Sequence, residues 1–464
     1  LVQGTLTLNG GVIDGAEITI ADGGSFDIAN NFSNRLHGGV VLNGDVTMSR
    51  DDLQIKGGLT VNGTLRLEGG SDIFFDNLDE DDASQTLDGN GSIIFDDTVT
   101  GTTNRIYAFG GNVALTIGPG LALSGGNVRF GEPWFGSEEM TLINQGVIVA
   151  DLPGGPIDIN GDAIVGVVNE GTLRAESGGS LSINHLDDAA GLSIEGGGAL
   201  TLDGTWKNTG ALTADGSTLI LNGQWDNTGA INATDSNVQL GGTFTLADLG
   251  TFNRTGGLVQ LTGILENTGQ TLALNAATGS WQIDGGQIIG GRITTADGAV
   301  LEAEDDSTLD SRLRDGVILD GELVLNRSEL RFDGGLTVNG VIRFLGGANL
   351  YADALGGASV QTIGGSGEMI FGNEVFGPAN RLYVYNGQVE LTLGPDLTLR
   401  GGNVRIGDGR FGDTEMALTN EGTIIADLPG VPFGINGDPL VRFTHNGVTR
   451  EEDGGILDIA DVPE

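Results

Sequence analysis

The chain has 464 residues and sets 63 Asp+Glu against 21 Lys+Arg, a formal net charge of −42. That balance argues against a nucleic-acid partner, because phosphate binding needs a basic face, and an anionic bilayer surface would repel it for the same reason. Apolar residues make up 38%, glycine occurs 83 times and cysteine is absent, so the chain can bury a core, must turn often, and has neither disulfides nor thiolate sites.

From the first residues the pattern is short runs such as "TLTLNG", in which apolar and polar residues alternate between Gly, Asn and Asp. This period of two marks half-buried strands, and no sustained helical period occurs anywhere. No apolar run reaches the roughly 20 residues that span a bilayer, so no membrane insertion is expected. The chain opens on Leu1 without an initiator Met and reads as a processed product or an excerpt of something longer.

Three segments interrupt the rhythm in the first half. Residues 76–89, "DNLDEDDASQTLDG", hold an acidic cluster. Asp79, Asp81 and Asp82 would suit Ca²⁺ with oxygen ligands, but no EF-hand or nonapeptide calcium spacing accompanies them. In the counterpart at residues 353–365 a shorter neutral stretch replaces Asp79 to Asp82, which favours a solvated loop without a cofactor. Residues 130–140, "FGEPWFGSEEM", place Trp134 and Phe135 on a Gly-rich projection, a candidate surface contact for a sugar ring. The second copy reads "IGDGRFGDTEM", keeping Phe411 but not the tryptophan, which suits a packing anchor better. Residues 150–162, "ADLPGGPIDINGD", bracket Gly with two prolines and predict a rigid excursion between coils. His37, His185 and His445 are far apart in sequence, so a His-centred metal site or catalytic triad is not expected.

The clearest repeat follows at residues 206–269. Trp206, Trp225, Phe244 and Ile264 fall 19, 19 and 20 residues apart. Asn208, Asn227, Asp248 and Asn267 keep nearly the same time, each followed two residues later by Gly210, Gly229, Gly250 or Gly269. A unit of about 20 residues with two or three short strands cannot bury its own inner face, but a stack of such units can. The reading is all-β: a single elongated parallel β-solenoid, or β-helix, with coils of about 20 residues. At the usual strand spacing, about 23 coils would make a rod on the order of 110 Å. Asn and Asp should stack at one corner with Gly supplying a left-handed backbone, and the Trp and Phe side chains should form an inward stack.

A longer period lies over the first. "GGLTVNGTLRLEGG" at 57–70 returns as "GGLTVNGVIRFLGG" at 334–347, and "NRIYAF" at 104 returns as "NRLYVY" at 380. Residues 1–275 therefore read as one super-repeat and 276–464 as a second, shortened one. Neither end resembles a cap, so end-to-end stacking of chains through open strand edges is expected.

"GTLTLNGG", "GGLTVNGTL" and "NTGALTADGSTLILNG" resemble the β-strand repeats of large secreted bacterial proteins, the autotransporter passengers and filamentous-haemagglutinin-like adhesins. The resemblance covers nearly the whole chain and implies a right-handed β-helix, an extracellular or cell-surface location, and a role as adhesin, stalk or matrix fibre. The expected function is a non-enzymatic structural filament segment whose partners are itself and an extracellular polysaccharide. The alternative is a carbohydrate-active β-helix, lyase or hydrolase, with a groove near loops 71–90 and 130–141. Ice binding would need aligned threonine rows, and Thr does not recur at the coil period in "ILNG", "VQLGG" and "VQLTG".

Overall fold

The computed structural model describes residues 1–78, 83–96, 102–131, 138–304, 306–312, 316–353, 359–372, 377–385, 387–409 and 414–459. These residues fall into two compact units, Leu1–Val238 with Gly250–Asn253, and Gln239–Leu249 with Arg254–Glu464. The sequence boundary expected at residue 275 lies inside the second unit.

Each unit is a parallel β-helix. In the first, one coil runs through Asp52–Lys56, Leu59–Val61 and Thr64–Glu68 before Asp72–Asp76 begins the next coil beside the strand where the last one started. Three parallel ladders grow from this advance and form three faces. The second unit repeats the plan with Glu329–Asp333, Leu336–Val338 and Val341–Leu345.

Alternation explains the strands. In "TLRLE" Leu65 and Leu67 point inward and are buried, while Thr64, Arg66 and Glu68 face out. Stacking then aligns the inner residues: Leu65, Ile93, Leu123, Ile148 and Leu173 pair in register and are all buried. Leu323, Ile342, Met369, Leu399 and Ile424 do the same in the second unit. Each such side chain contributes about 2 kcal/mol of burial, and none is covered until its neighbouring coil is in place.

Two expectations change. Coil length is not uniform: Asn208 lies 19 residues from its stacked partner Asn227, whereas the coil joining Ser71 to Asn104 takes 33. The extra residues of that coil enter between strands, and its ladder from Asp72–Asp76 to Asn104–Phe109 keeps register; register shifts occur elsewhere, at Met140, Leu382 and Met416. The proline-bracketed segment is also no separate excursion, because Pro156–Ile159 is an ordinary rung between Val128–Phe130 and Ser180–Asn184.

Candidate functional site

The Asn positions form a buried structural ladder. In the first unit Asn208 Nδ2 donates to Asn227 Oδ1 at 2.7 Å and to the carbonyls of Gly210 and Ala230. Asn144 makes the same bond to Asn169 at 2.8 Å. In the second unit Asn267 donates to the carbonyls of Gly290 and Arg292, and Asn420 lies 3.1 Å from His445 Nδ1. Trp206 and Trp225 are ladder partners with stacked rings, centroids 5.4 Å apart, as expected of an inward stack; Phe244 is buried within the second unit.

Asp248 does not join the ladder. It lies in the single turn of helix Leu246–Leu249, where its carboxylate accepts from Thr245 N at 2.7 Å while its own N–H donates to Thr245 Oγ1. This is a capping box, and the T-x-x-D spacing outcompetes the coil corner. The glycines also serve different needs. Gly250 and Gly269 do adopt left-handed φ angles of 58° and 71°. Gly210 and Gly229 do not; a Cβ on Gly229 would run into the Gly210 backbone one coil away.

The outward side of one ladder in each unit carries the chemistry. In the first unit Asp72, Phe74 and Asp76 occupy outward positions of a wholly buried strand. Phe74 stacks on Tyr107 at 5.6 Å and on Phe32 at 4.7 Å. Arg105 lies 3.5 Å from Asp72, and the Asp76 carboxylate accepts from Gln54 Nε2 and Leu78 N. The corresponding strand of the second unit carries Tyr351 and Asp353. Tyr351 stacks on Tyr383 at 5.3 Å. Asp310 and Asp333 are ladder partners bridged by Arg312, and Arg331 links Asp333 at 2.9 Å to Asp353 at 3.3 Å.

Burial sets the electrostatics. It raises the carboxyls of Asp51 and Asp52, and Asp51 is raised further by Asp52. It pushes Tyr107 up strongly and Tyr351 up to about 12. Burial also opposes ionisation of Asp310, but the hydrogen bonds and charge of Arg312 outweigh it and hold that carboxyl low. At Asp333 burial prevails over Arg331 and Arg312, and its carboxyl is raised. Two adjacent carboxylates pushed apart in this way can divide the roles of proton donor and acceptor. Asp333 is only 1% exposed, however, so the cluster serves first as a brace between coils.

The strands flanking the first two interrupting segments belong to the same two ladders: Asp72–Asp76 and Val128–Phe130 precede them in one, and Ser84–Asp88 and Met140–Asn144 follow them in the next. Asp79, Asp81, Asp82, Trp134, Phe135 and Phe411 lie outside the described residues. Among the described residues no group of three or more His, Asp or Glu side chains is disposed to hold a metal ion, and no helix is long and apolar enough to cross a membrane. His37, His185 and His445 fall in separate coils, as their spacing implies. Threonine does align over four successive coils among the described residues: Thr362, Thr392, Thr419 and Thr444 stack in register as a single column.

Sequence reasoning missed the aromatic and carboxylate column. Its signal was present in "DIFFD" and "NLYAD", where bulky residues occupy outward positions in both copies. No protein family, no curated protein and no solved structure matches this chain.

Proposed function

We propose that the chain is a segment of a non-enzymatic, extracellular structural β-solenoid, a bacterial surface or matrix fibre or adhesin stalk that self-associates head to tail. The observation that supports this reading is that coil after coil adds to the same buried column, Leu65 through Leu173 in the first unit and Leu323 through Ile424 in the second, by parallel strand pairing alone. A column built this way is extended by any further matching coil, because a parallel strand edge accepts another strand. The acidic surface suits the role, since like charge discourages lateral fusion. Sedimentation and electron microscopy of the 464-residue chain test it. Filaments that lengthen with concentration and vanish in Ile456→Lys/Ile459→Lys are expected; isolated single-chain particles at every concentration would overturn the reading.

A second reading, a carbohydrate-active β-helix, is favoured by one observation: Asp72, Asp76 and Arg105 lie on the outward side of the ladder whose strands precede residues 77–83 and 131–139. Release of reducing or unsaturated sugar ends from polysaccharides, abolished by Asp72→Asn, would replace the first reading with this one.

A further inference from the structure

The outward side of another ladder in the second unit carries a regular stripe. Arg343 pairs with Ile370, Ile370 with Arg400, Arg400 with Ile425, and Ile425 with Arg450. Arginine therefore recurs every second coil, about 9.6 Å apart at the usual strand spacing, with an aliphatic side chain between. The first unit holds an incomplete version in the same register: Arg66, Ile94, Ser124, Val149 and Arg174.

Each arginine is held by a neighbouring carboxylate. Arg343 lies 2.9 Å from Glu322, Arg400 Nε 3.0 Å from Asp427, and Arg450 3.7 Å from Glu452. In the first unit Arg66 lies 2.7 Å from Asp96 and Arg174 3.2 Å from Glu176. The three arginine side chains of the second unit remain 39, 43 and 58% exposed. The stripe thus offers planar donors beside fixed acceptors, locally neutral, alternating with apolar patches.

We propose that this stripe binds an extended, uncharged β-linked glucan laid along the stack of coils. A sugar chain presents hydroxyl pairs that suit an Arg–carboxylate couple and C–H faces that suit isoleucine, and its disaccharide unit matches the two-coil repeat. Each contact is weak alone, and repetition along one chain multiplies them. A polyanion is disfavoured because it would displace the carboxylates already holding the arginines and approach a chain of net charge −42. A second copy of this chain is disfavoured too. A two-fold contact centred on the stripe would set Arg400 against itself.

The test is affinity electrophoresis of the full chain in gels containing mixed-linkage β-glucan, with dextran and polygalacturonate as comparison polymers. Retardation by β-glucan alone is expected, falling at least tenfold in Arg343→Gln/Arg400→Gln/Arg450→Gln. Ile370→Thr/Ile425→Thr should weaken it with every arginine intact. If the triple variant loses its β circular-dichroism signal, Arg400→Ser carries the test, since the first unit has Ser124 at that place. No retardation by β-glucan, equal retardation by dextran, retardation by polygalacturonate instead, or binding unchanged in the folded variants would overturn the proposal. Filament growth of the same variants is scored separately, so failure here leaves the structural reading standing.

Discussion

At Asn208 one buried amide serves two coils, and its Oδ1 has no hydrogen-bond partner. Asn208→Ala strands the acceptors it satisfies, and a loss of about 2 kcal/mol is expected from urea unfolding. The glycines separate two physical demands that look identical in sequence. Gly269 has a left-handed backbone and open space where a Cβ would go, so Gly269→Ala costs about 1 kcal/mol. Gly229 has an ordinary backbone but no room above Gly210, and Gly229→Ala should cost about 3 kcal/mol. Equal losses in the two variants would refute this distinction. The Asn-x-Gly period was legible because each coil repeats it. The reason for each glycine was not, because it depends on a residue 19 positions away, Gly210 beneath Gly229.

The Asp310, Asp333 and Asp353 column is the element with the sharpest pH signature. Asp310 sits below the ordinary 3.8, so its stabilisation is present above that value and lost as pH falls through its folded value. Asp333 sits above 3.8, so its burial costs stability at neutral pH and the cost is relieved as it protonates. Asp310→Asn should therefore lose about 2 kcal/mol at neutral pH, a figure discounted because Arg312 is 41% exposed. The difference from wild type should vanish below the carboxylate range; a deficit that persists there would show that the brace acts through packing. A second element, the Arg254 clasp, donates to the carbonyls of Gly256, Gly257, Thr278 and Ser280. Arg254→Ala should cost about 2 kcal/mol and speed hydrogen exchange at residues 275–280. The strands themselves were legible from alternation. The Arg–Ile stripe was not, because its members are 25 to 30 residues apart in coils of unequal length, as Ile370 to Arg400 and Ile425 to Arg450 show. Asp248 misled for the opposite reason, since its spacing fits the coil while a local bond to Thr245 decides its place.

Across the molecule, 63 acids face 21 bases, and arginine ion pairs offset only part of the repulsion. Raising NaCl should increase the urea midpoint until screening saturates near about 0.5 M, where charges more than a few ångströms apart no longer interact. A midpoint that falls with salt would mean that the ion pairs outweigh the net charge. The stacked parallel coil was legible from composition and period, its three faces only from the ladders, and the grouping into two compact units follows contacts that no sequence repeat marks. A coil that closes in 19 residues and one that needs 33 share the same inner column. The corner following Asp72–Asp76 is therefore a place where length is free: a foreign peptide grafted there is displayed outside the core, and natural variants can diversify that segment while every buried position stays under the same constraint.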